Sequence, residues 1–289
     1  MNLHTDNVNQ CNTYILGTRL GYRGFDLEQQ LLEKNQGYVN IWGWDYRSCD
    51  KSSIIEHSNK CKANFLLDRD LTLGEICCAL GHREIYNDFL ETSFEWALVL
   101  EDDARLVLKE IPYSFLEKIA KHNPSIIQLY GLAEALEQLP INQKEIQVIK
   151  KGGEDDLYRL NFIPELTHAY FINRLAAKQL SKSTMNGIYS TADWPLLATK
   201  GLHFYISGRP VFVQNPDVSI LEADRIGSMV RNKQNIQKLR SLLNILGFKA
   251  LLGVRQRINP VDMQNLILRR VYVRLVARYK PYLLFRRVE

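Results

Sequence analysis

The chain has 289 residues, 46% of them hydrophobic and 24% charged, and carries a formal net charge of +5. That length suffices for one large domain or two small ones, and the composition excludes disordered and collagen-like classes. No window approaches about eighteen uncharged apolar residues, and the opening MNLHTDNVNQCNTYIL has neither a basic leader nor a long apolar stretch, so neither a membrane-spanning helix nor a secretory signal is expected.

In chain order, Asn12–Leu16 (NTYIL) reads as a first strand followed by a glycine-containing loop. Asp26 to Lys34 has helical spacing, with Leu27 and Leu31 on one face. Tyr38–Trp42 is a second strand, and strand–helix–strand order predicts an α/β sheet. Thr72 with Glu75 three residues on predicts a capping box opening a helix that runs to about Leu90. Trp96–Leu100 (WALVL) is a buried strand that ends abruptly in Glu101, Asp102 and Asp103. Ser125–Tyr130 is a further apolar run closed by Gly131. Thr167–Asn173 predicts a strand, Arg174–Ser181 a short helix, and Phe204–Ile206 and Val211–Val213 short strands. From about Ser228 the pattern is helical, broken at Pro260 and Pro281.

Cys11, Cys49, Cys61, Cys77 and Cys78 are odd in number and lack CxxC spacing, which gives neither a disulfide framework nor a zinc site. Reduced, partly buried thiols are the expectation.

Three consecutive carboxylates after an apolar strand are the most informative feature. In an open α/β sheet, ligands sit outside the carboxyl ends of the strands. In extended geometry Glu101 and Asp103 point one way and Asp102 the other. Crowded carboxylates repel, and Mg²⁺ or Mn²⁺ bridging them to phosphate oxygens relieves that repulsion. A solvated acidic turn, or a cap on the next helix, is the bland account of the same three residues.

The stretch LTLGEICCALGHREIYNDFLETSFEWALVLEDDARL, Leu71 to Leu106, resembles glycosyltransferase family 25, the lipooligosaccharide galactosyltransferase family. Gly74, Glu75, Cys78, His82 and Leu100–Asp103 stand where that family has its "GE-x-x-C-x-x-S-H" helix and "LEDD" strand end, with Gly81 in place of the usual serine. Thr167 to Leu180 (THAYFINRLAAKQL) and Ala192 to Leu196 (ADWPL) are similar to two later family blocks. After the first strand, Thr18-Arg19 with Arg23 only approximates the family's serine and paired arginines.

The resemblance implies a GT-A-like nucleotide-sugar-binding domain over residues 1–230. It implies an enzyme that moves a hexose, galactose favoured, from a UDP-sugar to a lipooligosaccharide or lipopolysaccharide acceptor with Mn²⁺ or Mg²⁺. By the same analogy Asp103 is the metal ligand, Glu101 or Asp102 lies near the ribose or uracil, and Thr18 and Arg19 border the nucleotide. A non-catalytic glycan- or membrane-binding protein of this fold, or a retaining transferase, are the alternatives.

Other residues carry two readings each. Asp193, beside Trp194 and Pro195, suits a general base for inverting transfer, since an apolar neighbour raises a carboxyl pKa; it equally suits a helix N-cap. Glu75 either caps its helix or reaches the donor, and His82 is either a packing residue or a substrate contact. His168 is a packing residue or a minor contact. Thr167 and Tyr170 line an acceptor site or pack the strand, and Trp42 and Trp44 stack on a sugar or fill the core.

From Gln237 to Glu289 there are twelve Lys or Arg and two acidic residues, a net of +10, against −5 for the rest. Cationic residues interleaved with Leu, Ile and Val predict a basic amphipathic extension over residues 231–289 lying on an anionic membrane. A helical cap on the domain is the alternative, and nucleic acid is not expected, since no binding motif is present. The expected location is cytoplasmic, peripheral on the inner membrane face, where a lipid-linked acceptor is made.

Overall fold

The structure is a computed structural model that describes residues 11–67, 69–119, 122–138, 146–150, 156–192 and 194–215. The expected basic extension at 231–289, and the boundary drawn at residue 230, lie outside the described residues.

Eight strands form one mixed sheet. In chain order they are β1 (Cys11–Gly17), β2 (Val39–Trp42), β3 (Trp96–Glu101), β5 (Ser125–Gln128), β6 (Ile146–Lys150), β7 (Leu157–Leu160), β8 (Ala169–Asn173) and β9 (His203–Ser207). Their spatial order is β2-β1-β3-β8-β5-β9-β7-β6. The pairs β1–β2, β1–β3 and β5–β9 are parallel. Strand β8 enters between β3 and β5 and runs antiparallel to both. Two short strands, β4 (Ala104–Leu106) and β10 (Phe212–Gln214), pair separately.

Side-chain alternation builds a core on each side of the sheet. Trp96, Leu98 and Leu100 of β3 join one core layer with Ile15 of β1 and Phe171 of β8. Ala97 and Val99 face the other, with Tyr14, Tyr170 and Ile172. All five β3 residues from Trp96 to Leu100 are at most 1% exposed, which is why they read as an unbroken apolar run. Full burial of each large side chain contributes roughly 1.5–3 kcal/mol.

Helices cover both faces. Leu27 and Leu31 of α1 (Phe25–Glu33) and Phe115 and Leu116 of α5 (Ser114–Lys118) pack on the first layer. Ile85, Tyr86 and Phe89 of α4 (Leu73–Glu91) and Ala176, Ala177 and Leu180 of α7 (Arg174–Ser183) pack on the second. The remaining helices α2 (Lys51–Glu56), α3 (Lys60–Leu67) and α6 (Leu132–Gln138) are short, and sequence periodicity does not reveal them. Neither does it reveal β6 and β7, whose mixed polar composition lacks a clean alternation.

The N-terminus of α4 is the capping box expected from Thr72 and Glu75. The Thr72 hydroxyl accepts from the Glu75 N–H at 3.2 Å, and the Glu75 carboxylate accepts from the Thr72 N–H at 3.0 Å. Arg69 adds two further bonds to Glu75 at 2.7 Å each.

Candidate active site

The parallel strands β1, β2 and β3 release their chains at one level. Leu16 pairs with Ile41 on one side and Glu101 on the other. Beyond that rung the Asp102 N–H donates to the Leu16 carbonyl and the Gly43 N–H to the Gly17 carbonyl, both at 2.9 Å. A cleft of about 160 Å³ opens there, bordered by Thr18, Arg23, Asp45, Arg47 and the three carboxylates. Gly17 permits this closeness, because a Cβ there would lie 2.6 Å from the Tyr22 ring and 3.3 Å from Asp102.

One expectation about the acidic run is corrected. Strand β3 ends at Glu101, and Asp102 and Asp103 form a turn into β4, so strict strand alternation does not apply. The turn brings both aspartates onto one guanidinium. Arg23 Nη2 lies 3.0 Å from Asp102 Oδ1 and 3.3 Å from Asp103 Oδ2.

The three carboxyl groups have different surroundings. Glu101 Oε1 accepts from the Thr167 hydroxyl at 2.7 Å and meets His82 Nε2 at 3.2 Å. Burial pushes this carboxyl up, but His82 and Thr167 together outweigh it and bring it down to about 2. Asp102 is raised above its ordinary value by burial, against the opposing charge of Arg23. Asp103 is lifted to about 6, first by burial and next by the charge on Glu101, although Gln214 and Arg23 work the other way. Its Oδ2 accepts from Gln214 Nε2 at 2.9 Å, while its buried Oδ1 has no hydrogen-bond partner.

Behind Glu101 runs a buried polar chain. His82 Nδ1 lies 2.8 Å from the Tyr170 hydroxyl, which lies 2.8 Å from that of Tyr86. His82 itself is 2% exposed and does not border the cleft. It reaches the site through Glu101.

Thr18 borders the cleft, its hydroxyl donating to the Leu20 carbonyl at 3.1 Å. Arg19 instead lies over the Trp42 ring, 5.9 Å from its centroid. Glu75, 1% exposed, gives its carboxylate to Thr72 and Arg69, and its neighbours Gly74 and Cys78 border the cleft in its place. Asp193 lies outside the described residues. Its neighbour Trp194 is buried, has φ 41°, and meets Tyr170 edge-on at 4.9 Å. The short 3₁₀ turn that follows has Pro195 at its cap position, with no side-chain bond.

Sequence reasoning passes over three polar groups at the cleft. Gln214 sits on a short strand with no motif around it. Asp45 and Arg47 pair through Nε–Oδ1 at 2.8 Å and Nη2–Oδ2 at 2.7 Å, which lowers the Asp45 carboxyl. Arg23, noted only as a loose match to a basic loop, is the cation that the acidic turn holds.

Among known proteins, residues 23–194 match the family model described as glycosyltransferase family 25 (LPS biosynthesis protein). No curated protein matches the chain. Two of the solved structures that resemble this chain do so at low identity. The crystal structure of A197 from STIV shares 12% identity at TM-score 0.37, covering 72% of this chain and 95% of that one. A glycosyltransferase involved in the glycosylation of the major capsid of PBCV-1 shares 10% identity at TM-score 0.29, covering 60% of this chain and 65% of that one. Likeness at those scores supports no argument about activity, whereas the family match spans more than half of the sequence and contains the acidic turn, the capped helix and β8. This chain belongs to glycosyltransferase family 25.

Proposed function

We propose that the protein transfers a hexose, galactose before others, from a UDP-sugar to a lipid-linked oligosaccharide of lipopolysaccharide type, by inverting displacement in a GT-A-like domain spanning residues 1–230. One observation carries the reading: Asp103 Oδ1 is buried without a partner at the edge of a cleft that also holds Arg23. A buried carboxylate oxygen is normally bonded, so an orphan in a cleft points to something that binds there.

The residues present fit a divalent cation. Three carboxyl groups border one cleft, and Asp103 is lifted to about 6 by burial and then by the charge on Glu101, a repulsion that a cation would relieve. Asp103 would hold Mn²⁺ or Mg²⁺, and the bound ion would neutralise charge on the departing UDP. Arg23 supplies a second positive charge for the same diphosphate. Gln214 holds Asp103 through Oδ2, so Oδ1 would be free to help hold the ion. Asp102 or Glu101 takes the ribose end, with Thr18 beside it. Asp193 takes the acceptor hydroxyl proton as that oxygen attacks the anomeric carbon. Support for this role comes from its neighbours: Ala192 packs against the cluster that contains Cys77, a residue bordering the cleft, and Trp194 is anchored in the core. The basic segment 231–289 would hold the enzyme on an anionic inner-membrane surface near a lipid-linked acceptor.

A panel of UDP-sugars incubated with Mn²⁺ or with chelator, followed by UDP release, tests the reading. Metal-dependent release from one sugar, abolished by Asp103→Ala, is the expected result. UDP that neither binds nor is released would favour the non-catalytic alternative, in which the Arg23 bridge to Asp102 and Asp103 is the resting structure rather than a donor site.

A further inference from the structure

We propose that Cys78, His82 and Glu101 form a second metal site, selective for Zn²⁺ and open to the cleft. Cys78 and His82 are four residues apart on α4, so they share one helix face. Glu101 meets them from the end of β3. Their donor atoms all lie within 4.8 Å of one another. Zinc bonds of about 2.0–2.3 Å in tetrahedral geometry set ligand atoms about 3.3–3.8 Å apart. His82 Nε2 and Glu101 Oε1 are already at 3.2 Å. Binding of the ion would draw the Cys78 Sγ, which lies within 4.8 Å of the other two donor atoms, to that spacing.

The chemistry of the donor set selects the metal. One thiolate, one imidazole and one carboxylate match zinc's preference for sulfur and nitrogen, whereas Mn²⁺ and Mg²⁺ prefer oxygen. The two negative charges and the ion sum to zero. Behind the ligands the support is complete. His82 Nδ1 faces the Tyr170 hydroxyl at 2.8 Å, the outer bond that orients a metal-bound histidine, and Thr167 donates to Glu101 at 2.7 Å. When Nε2 binds the ion, Nδ1 carries the ring proton and donates to Tyr170, whose own proton turns to Tyr86. The thiol proton leaves to solvent. Cys78 and Glu101 both border the cleft, which provides the entry path and the fourth position.

Asp103 is not a ligand of this site, and with Glu101 on zinc the ribose end of a donor falls to Asp102, so the test reads metal binding and needs no turnover. The full-length chain, stripped of metal, is titrated with Co²⁺ as a spectroscopic stand-in for zinc. The expected result is one ion per chain with a thiolate-to-cobalt charge-transfer band, bleached by added Zn²⁺. Asp103→Asn keeps the band and Cys78→Ala removes it. Tyr170→Phe, which retains the ring but not the hydroxyl, weakens binding by about 10- to 100-fold. A band that survives Cys78→Ala, or no band at all in folded protein, overturns the proposal. Unchanged affinity in Tyr170→Phe removes the assigned role of the tyrosine and with it the stated tautomer.

Discussion

Gln214 donates from Nε2 to Asp103 Oδ2 at 2.9 Å, joining the last described strand to the end of the acidic turn. That bond, with Arg23 on the same oxygen, leaves Oδ1 as the end of the carboxylate still to be satisfied. Asp103 is lifted from 3.8 to about 6. Its folded-state value exceeds its unfolded value, so its contribution to stability is full below about pH 3.8 and is lost as pH rises through about 6. Without divalent cations the wild type should lose on the order of 2–3 kcal/mol across that window through this group. Asp103→Asn should flatten the difference and melt higher than the wild type at pH 7 in chelator. Added Mn²⁺ should stabilise only the wild type. Thermal melts from pH 4 to 8 with and without chelator measure all three; parallel curves for the two proteins would contradict the assignment.

Arg69 and Glu75 form a pair that is almost dry, with Glu75 1% and Arg69 18% exposed at their side chains. Arg69→Ala strands a buried carboxylate and should cost about 3–5 kcal/mol by urea denaturation. Adding Glu75→Gln to that variant should recover part of the loss, since the charge is gone and the amide still accepts from Thr72. If Glu75 is structural, UDP affinity stays within about twofold in the double variant. A hundredfold loss of affinity would instead place Glu75 at the donor.

Gly81 stands where the family has serine, and its space is taken. A Cβ on Gly81 would lie 2.6 Å from Leu16 Cδ1. Gly81→Ser alone should destabilise by about 1–3 kcal/mol through overpacking. Leu16→Ala should restore most of that loss in the double variant, while costing stability alone through a cavity. A double-mutant cycle of Tm values reads the coupling; additive effects would mean that Leu16 turns aside freely.

Thr167 reaches Glu101 across 66 residues of sequence with a 2.7 Å bond. Thr167→Val keeps the shape and removes the donor, and should cost about 1.5–3 kcal/mol, as for a bond to a charged group. Glu101 is held down at about 2, a depressed value, so its contribution is present above about pH 4.5 and lost as pH falls towards 2. The Thr167→Val deficit should therefore shrink on acidification from pH 6 to pH 3. A deficit that stays constant with pH would assign the loss to packing rather than to the charged bond.

Long periodic elements were legible before the structure. The WALVL run, the Thr72–Glu75 cap and the Leu27–Leu31 stripe each state a local rule, and each element appears within a residue or two of its expected ends. What local rules do not encode is who meets whom. Nothing around Gln214 announces its bond to Asp103, and nothing around Arg47 announces that it closes on Asp45 beside the cleft. Strand alternation misplaced Asp102 because the strand stops two residues earlier than the carboxylates do. Leu16 gives no sign from sequence that it fills the room of a missing serine. The family blocks supplied the acidic turn and His82, but not the Tyr170–Tyr86 chain that fixes the histidine.

Because β8 enters the sheet between β3 and β5 in the reverse direction, its first residues, not its last, meet the acidic turn. On a chain emerging from the ribosome, Glu101 and both aspartates precede Thr167 and Gln214 by a long interval: Thr167 comes 66 residues after Glu101, and Gln214 comes 111 after Asp103. Until those residues arrive, the three carboxylates have water, Arg23 and His82 for company. Contacts of such sequence separation form late, so a nascent fragment that ends at the acidic motif already carries nearly all of the cleft wall but not the two bonds that hold Glu101 and Asp103 in place.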